Sequence, residues 1–121
     1  MNKKKILIAE DDIDVMTVLG EGLEDYEIVS AYDGEDALEK IKETGPDLIL
    51  LDIMMPGING ADLNKKLKKD KKLKDIPVII ITGRTNMEGL FSDSGENRVD
   101  GFLEKPFTLK VLKAEIERVL N

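Results

Sequence analysis

The stretch DLILLDIMMPGING, residues 47–60, constrains the fold more than any other part of the chain. Four consecutive apolar residues, 48–51, are bounded by turn-forming residues, which is typical of a strand covered on both faces in a parallel sheet. Asp52 then stands at the carboxyl end of that strand, the edge where open α/β sheets bind their ligands. An aspartate after a strand can also simply cap the next turn, so Asp52 alone does not establish a site.

The composition excludes several classes of protein. A chain of 121 residues, 41% of them apolar, suffices for one domain with a core. The absence of cysteine excludes disulfides and thiolate metal sites, and the absence of histidine excludes zinc–histidine sites and serine–histidine catalysis. The formal charge of −7 argues against direct binding of nucleic acid. With neither a signal-peptide pattern nor an apolar run long enough for membrane insertion, we expect a cytoplasmic protein.

Short apolar runs predict four further strands, at residues 6–9, 27–31, 78–81 and 102–103. Helical periodicity fills the intervals between most of them. Asp33, Asn59 and Thr108 are the predicted helix caps. Strands that alternate with helices indicate an α/β, doubly wound single domain.

The polar residues that close these strands form a set. Glu10 and Asp11 follow the first strand, Asp52 the third, Thr82 the fourth, and Lys105 lies just beyond the fifth. Because the carboxyl ends of parallel strands lie at one edge of a sheet, we expect these side chains to converge in one cleft. Each residue has an ordinary structural explanation when taken alone, so the joint pattern carries the argument.

Such a cleft is suited to phosphoryl chemistry. Carboxylates held close together repel one another, and either a proton or a hard cation relieves the repulsion. Magnesium prefers oxygen ligands and leaves positions for phosphate oxygens. Asp52 can then act as a nucleophile that forms an aspartyl phosphate. Lys105 and Thr82 would stabilise the negative charge of the phosphoryl oxygens.

Four motifs occur in order along the chain: ILIAEDD, LILLDIMMPGING, VIIITG and FLEKPF. Through them the sequence resembles, over essentially its whole length, the receiver domains of two-component response regulators, the CheY-like family. The resemblance implies a flavodoxin-like, five-stranded parallel sheet with strand order 2-1-3-4-5 in three layers, α/β/α. It also implies a single receiver domain over residues 1–121 with no output domain, a stand-alone response regulator that acts by docking to an unknown downstream protein.

The resemblance assigns roles to the acidic residues. Asp52 is the expected phosphoacceptor, and its donor is the phosphohistidine of a sensor histidine kinase or a histidine phosphotransfer protein. Mg²⁺ is the expected cofactor. Asp11, Asp52 and the backbone carbonyl of Met54 are expected to bind it directly, and Glu10 partly through water. The chemistry is limited to magnesium-dependent self-phosphorylation and autodephosphorylation, so we do not expect an enzyme in the usual sense.

The resemblance also implies a switch. Thr82 and Lys105 are expected to contact the phosphoryl group, and Phe102 is the aromatic residue expected to turn inward with Thr82 on activation. The Lys105–Pro106 bond is expected to be cis, which proline makes accessible.

Residues 85–100 depart from the family, which has an amphipathic helix between the fourth and fifth strands. Here one turn of apolar spacing ends at Phe91, and no apolar residue follows until Val99. Gly89 and Gly95 each cost a helix about 1 kcal/mol relative to alanine. We therefore expect a weak or irregular helix that is ordered by phosphorylation or by a partner.

Seven lysines occur within residues 65–74, in the run KKLKKDKKLKD that ends at residue 75. Such a run is typical of a solvated helix face whose leucines point inward. Docking of an acidic partner is the alternative.

Other functions remain open at this point. A haloacid-dehalogenase-like phosphatase carries its nucleophile and acid as Asp-x-Asp after the first strand, and Asp12 and Asp14 imitate that spacing, although Met16 stands where that family has threonine or valine. A pseudo-receiver that keeps the fold without being phosphorylated is the other alternative. Flavin binding is disfavoured because the cofactor's phosphate would meet acidic side chains.

Overall fold

The computed structural model describes residues 3–55, 57–83, 95 and 98–121. Within these residues the chain forms five strands and four helices. In chain order they are β1 (Lys5–Ala9), α1 (Ile13–Gly22), β2 (Glu27–Ala31), α2 (Gly34–Thr44), β3 (Leu48–Asp52), α3 (Gly60–Lys69), β4 (Val78–Thr82), β5 (Gly101–Glu104) and α4 (Leu109–Leu120). No described helix has the length and apolar character needed to cross a membrane.

The five strands form one parallel sheet with the order β2-β1-β3-β4-β5, which confirms the predicted topology. Asp52 pairs with Ile81, and Thr82 pairs with Glu104. The register therefore brings the last residues of β3 and β4 to the same edge of the sheet, which we call the carboxyl edge. The opposite edge, where the strands begin, is the amino edge.

Helices cover both faces of the sheet because its central strands are apolar on both sides. All five residues of β3 and of β4 are buried. Ile49 and Ile80 belong to the cluster shared with α2 and α3, whereas Leu50 and Ile79 belong to the cluster shared with α1 and α4. Full burial of each such side chain contributes about 1.5–3 kcal/mol. The three-layer α/β/α arrangement follows from this alternation.

The predicted helix caps are confirmed. The side chain of Asp33 accepts a hydrogen bond from a backbone N–H in the first turn of α2, and Asn59 and Thr108 do the same for α3 and α4. Gly45 ends α2 with φ of 56°, the left-handed conformation that glycine adopts without strain. Local side-chain chemistry therefore determines where these helices begin and end.

The lysine-rich run differs in part from its prediction. Leu67 and Leu73 are buried, as expected. However, α3 covers only the first half of the run. Lys68 is half-buried, and its Nζ donates to the carbonyls of Lys74 and Ile76. The prediction of a solvated helix face does not hold at Lys68, because the chain folds back after α3 and presents these carbonyls to it.

The predicted weak helix lies almost entirely outside the described residues. Of residues 85–100, the structure describes only Gly95 and the three residues 98–100. The prediction that this segment is irregular at rest stays a prediction.

Candidate functional site

Three carboxylates meet at the carboxyl edge of the sheet. Glu10 directly follows β1, and its N–H donates to the carbonyl of Ala31 on β2 at 3.0 Å. Asp52 is the last residue of β3. Glu10 and Asp52 are 0% and 3% exposed, whereas Asp11 is exposed. Carboxylate oxygens of the three residues lie within 4.8 Å of one another. The sheet therefore brings together the acidic residues that the sequence predicted.

Lys105 is the cation that faces this cluster. Its Nζ lies 2.6 Å from Glu10 Oε1 and 3.1 Å from Asp52 Oδ2. The backbone holds the lysine in place, because its N–H donates to the carbonyl of Thr82 at 2.7 Å. The peptide bond to Pro106 is cis, as predicted. Lys105 thus joins the ends of β1, β3 and β4.

The pKa values of Glu10 and Lys105 reflect burial together with the interactions between these charged groups. Burial raises the pKa of Glu10, its hydrogen bond from Lys105 opposes that rise, and the neighbouring Asp52 adds to it. Burial alone would lower the pKa of Lys105, but its hydrogen bonds to the two carboxylates and their charges outweigh burial and raise it. The ammonium of Lys105 therefore pairs with two buried carboxylates, but it does not fully offset the effect of burial on Glu10.

The loop after β3 positions Asp52. The N–H of Met54 donates to Asp52 Oδ1 at 2.9 Å, so both carboxylate oxygens have a partner. The N–H of Gly60 donates to the carbonyl of Ile53 at 3.0 Å, which draws the start of α3 onto the end of β3. A Cβ at Gly60 would lie 2.7 Å from the carbonyl oxygen of Asp52. This glycine is needed for the close approach, yet the sequence indicated only a turn. Its place at the first helical position, directly after the Asn59 cap, was the available signal.

Thr82 and Phe102 occupy different levels of the sheet. Thr82 is fully buried at the carboxyl edge, one position beyond the residue that pairs with Asp52. Phe102 pairs with Ile80, two positions further from that edge. It is half-buried and packs against the cluster shared with α2 and α3. Thr82 therefore lies at the edge of the sheet where the carboxylates meet, whereas Phe102 does not.

The side chain of Asp12 is used to start α1. Its Oδ1 accepts hydrogen bonds from the N–H groups of Asp14 at 2.9 Å and Val15 at 3.3 Å. Its own N–H donates to Glu10 Oε2 at 3.2 Å. The carboxylate that the phosphatase alternative requires as its nucleophile is thus committed to a helix cap.

The donor set at the carboxyl edge fits a magnesium ion. Glu10, Asp11 and Asp52 supply carboxylate oxygens only, the ligand type that magnesium prefers, and no other group of this kind occurs among the described residues. Burial raises the pKa of Glu10 and the neighbouring Asp52 adds to the rise, so a bound dication would favour the charged form of Glu10.

Comparisons with known proteins agree with this geometry. The sequence matches the family described as the response regulator receiver domain over residues 6–117. The probable transcriptional regulator ycf27 of Porphyridium aerugineum is 34% identical over 123 residues, which cover 100% of this chain and 50% of the relative. The phosphate regulon transcriptional regulatory protein PhoB of Escherichia coli is 35% identical over 120 residues, which cover 98% of this chain and 52% of PhoB.

Solved structures show the same fold. A putative response regulator from Chloroflexus aurantiacus superposes with a TM-score of 0.88 at 28% identity, covering 98% of each chain. The chain spans about half the length of the curated relatives it matches. Since the family match extends over nearly the whole chain, this protein belongs to the response regulator receiver domain family.

Proposed function

We propose that this domain accepts a phosphoryl group on the carboxylate of Asp52 in phosphorelay signal transduction. The proposed donor is the phosphohistidine of a sensor histidine kinase or a histidine phosphotransfer protein. One observation carries the proposal: Asp52 is 3% exposed at the centre of an acidic cleft, with Lys105 Nζ 3.1 Å from its Oδ2. A buried carboxylate beside a lysine is suited to receive a group that brings its own negative charge.

Receiver domains bind Mg²⁺ at an acidic pocket. In this chain we assign its binding to the carboxylates of Glu10, Asp11 and Asp52 and to the backbone carbonyl of Met54. When bound, the ion supplies positive charge that offsets the carboxylates and the phosphoryl oxygens.

The transfer is a substitution at phosphorus. A carboxylate oxygen of Asp52 forms the new P–O bond, the P–N bond to histidine breaks, and its electron pair leaves with the imidazole nitrogen. Lys105 Nζ, which contacts Asp52 and Glu10 before transfer, then binds a phosphoryl oxygen. We assign a hydrogen bond from the Thr82 hydroxyl to another of these oxygens.

The proposed output is a changed docking surface for a downstream protein. Thr82 and Phe102 are its proposed switch residues, since Thr82 lies buried at the carboxyl edge and Phe102 is half-buried on β5. The negative charge of the chain, −7, disfavours direct contact with nucleic acid. A cytoplasmic location is proposed because that is where its phosphoryl donors act.

Mass spectrometry tests the proposal directly. Incubation with acetyl phosphate and magnesium should add about 80 Da to the wild type and nothing to Asp52→Ala. The matched control is Asp12→Asn, which keeps a helix-capping side chain but removes the nucleophile of the phosphatase alternative. We expect this variant to be phosphorylated like the wild type.

Three outcomes would contradict the proposal. Asp52→Ala could gain the same mass at the wild-type rate, or Asp12→Asn could lose it, which would favour the phosphatase. A wild type that never gains mass would favour the pseudo-receiver.

A further inference from the structure

Two cations converge on one backbone carbonyl near the amino edge of the sheet. Lys68, in the last turn of α3, donates from Nζ to the carbonyls of Lys74 at 3.1 Å and Ile76 at 3.2 Å. Arg98, which precedes β5, donates from Nη2 to the same carbonyl of Lys74. Both side chains belong to half-buried residues. Two positive charges are therefore held close together through a single neutral acceptor.

Within the described part of the chain, no salt bridge compensates this charge. The ion pairs there involve other cations, namely Lys5, Lys40, Lys105 and Arg118. A hydrogen bond to a carbonyl satisfies a donor but leaves the charge in place.

The pKa of Lys68 agrees with this imbalance. Burial lowers it, and the positive charge of Arg98 lowers it further. Asp75 and Asp100 oppose the shift but do not reverse it. The charges of Asp75 and Asp100 therefore do not offset the effects of burial and of Arg98 on Lys68.

One hydrogen-bond donor of Lys68 remains available at this position. A lysine ammonium has three N–H donors, of which Lys68 uses two on carbonyls. The Nε of Arg98 is buried and has no partner among the described residues. The other buried side-chain polar atom without a partner in the described part of the chain is Asn64 Oδ1, on the side chain whose Nδ2 donates to the carbonyl of Arg98. Lys68 and Arg98 line a pocket of about 270 Å³ together with Lys74 and Gly95.

We propose that this pocket, bounded by Lys68, Lys74 and Arg98, binds a doubly charged oxyanion of the phosphate type. A guanidinium offers a planar fork and an ammonium a point charge, a combination suited to tetrahedral oxyanions. The pocket is too small for a macromolecule. Exposed lysines of the same run, such as Lys65 and Lys66, raise the local positive potential.

Helix capping does not explain the arrangement. A lysine near a helix C-terminus commonly binds the last free carbonyls, which accounts for Lys68 alone. It does not account for a second cation on the same carbonyl. Neither residue belongs to the phosphoacceptor cleft, so the proposal stands apart from the proposed function.

Amide NMR tests the site with inorganic phosphate, titrated without magnesium at constant ionic strength. We expect saturable shifts at Lys74, Ile76 and Arg98, with the amide of Met54, next to the acidic cleft, unmoved. Parallel titrations with sulfate and with glycerol phosphate show whether the pocket prefers a free inorganic anion or the phosphate group of an organic ester. Tighter binding of the ester would identify an organic phosphate, and tighter binding of phosphate a free anion.

Matched variants distinguish binding of phosphate in the pocket from a general attraction to the positively charged surface. Lys68→Gln and Arg98→Gln should each weaken phosphate binding about tenfold, the loss of roughly one charge-assisted hydrogen bond. Lys66→Gln makes the same charge change on the exposed face of α3 and should weaken binding less than about twofold. Arg98→Lys keeps the charge but removes the planar guanidinium. It should weaken phosphate binding more than Lys66→Gln and less than Arg98→Gln.

Several outcomes would overturn the proposal. These are the absence of saturation by inorganic phosphate, shifts centred on Met54, or equal weakening by Lys66→Gln and Lys68→Gln. If Arg98→Gln fails to fold, wild-type binding and Arg98→Lys decide the result.

Discussion

The two edges of the sheet both bury charge, but they stabilise it differently. At the carboxyl edge, the carboxylates of Glu10 and Asp52 are paired with the ammonium of Lys105. At the amino edge, Lys68 and Arg98 are bound by backbone carbonyls. One edge therefore uses a side-chain counter-ion, and the other uses the polypeptide backbone.

The difference determines what each edge can respond to. A lysine on a flexible stem can follow a change of charge, so a phosphoryl group on Asp52 would draw Lys105 away from Glu10. A backbone carbonyl cannot move in this way without moving α3 and the loop after it. The carboxyl edge is thus suited to switching, whereas the amino edge is suited to holding a ligand in a fixed pocket.

The largest expected effect tests how tightly the carboxyl edge is built. Gly60→Ala would place Cβ 2.7 Å from the carbonyl oxygen of Asp52 and 2.7 Å from Ile53 Cα, both backbone atoms that cannot rotate away. We expect a loss of about 3 kcal/mol in the free energy of unfolding, measured with urea, and slower phosphorylation. Gly20→Ala is the control, since nothing lies within 4 Å of its added Cβ, and it should gain up to about 1 kcal/mol. Equal stability of the two variants would show that the backbone at the carboxyl edge shifts at little cost to make room for the added Cβ.

The next effect concerns the counter-ion. Lys105→Met leaves the buried carboxylates of Glu10 and Asp52 without the cation that contacts them. We expect the free energy of unfolding to fall by about 2 kcal/mol in magnesium-free buffer, and magnesium to restore part of it. Lys110→Met, on the exposed side of α4, should change stability by less than about 0.5 kcal/mol. If Lys105→Met were as stable as the wild type, Lys105 would not be the group that stabilises the buried carboxylates at the carboxyl edge.

A smaller effect is the titration of Glu10. Its carboxyl resonance should titrate with a midpoint above 4.5, and further above it in Lys105→Met, because the lysine hydrogen bond lowers the pKa. A carboxyl whose folded pKa is raised contributes stability below its unfolded pKa and loses it as pH rises through the folded value. Glu10→Gln lacks this loss, so its stability relative to the wild type should increase from pH 4 to pH 7 without magnesium. If the difference in stability between Glu10→Gln and the wild type stayed constant from pH 4 to pH 7, the pKa of Glu10 would not be raised in the folded protein.

The smallest effect lies at the amino edge, where solvent partly screens the charge. Because the folded-state pKa of Lys68 is lowered, the unfolded chain binds more protons as pH approaches 10.5, and stability should rise with pH. Lys68→Met should lack this rise in urea unfolding between pH 8 and pH 10, whereas Lys66→Met should retain it. Identical slopes for both variants would indicate that Lys68 is effectively solvated.

Much of the fold could be predicted from local physical chemistry. The apolar run before Asp52 and the caps at Asp33 and Asn59 are found in the structure. They depend on neighbouring residues, whose chemistry can be read directly from the sequence. The cis bond at Lys105–Pro106, which the resemblance to receiver domains implied, is found as well. The convergence of acids at the carboxyl edge followed as well, because parallel strands end at the same side.

Helical periodicity was less informative about burial. Ile13 and Val18 share α1 with the buried Met16 and Leu19, yet they are 68% and 56% exposed. Periodicity shows that a helix is amphipathic, but the width of its covered face depends on how closely the sheet and α4 approach it.

By itself, the sequence determined the strands, the helix starts and the residues at the acidic cleft, since these follow from short-range patterns and the geometry of parallel sheets. The strand order was implied by the resemblance to receiver domains. Only the tertiary structure decided that Gly60 must lack a side chain, that Lys105 pairs with Glu10, and that Lys68 turns inward towards the same carbonyl as Arg98. These features depend on distances between segments that are far apart in the chain. Such distances are set by the packing of the whole core, which no local pattern encodes.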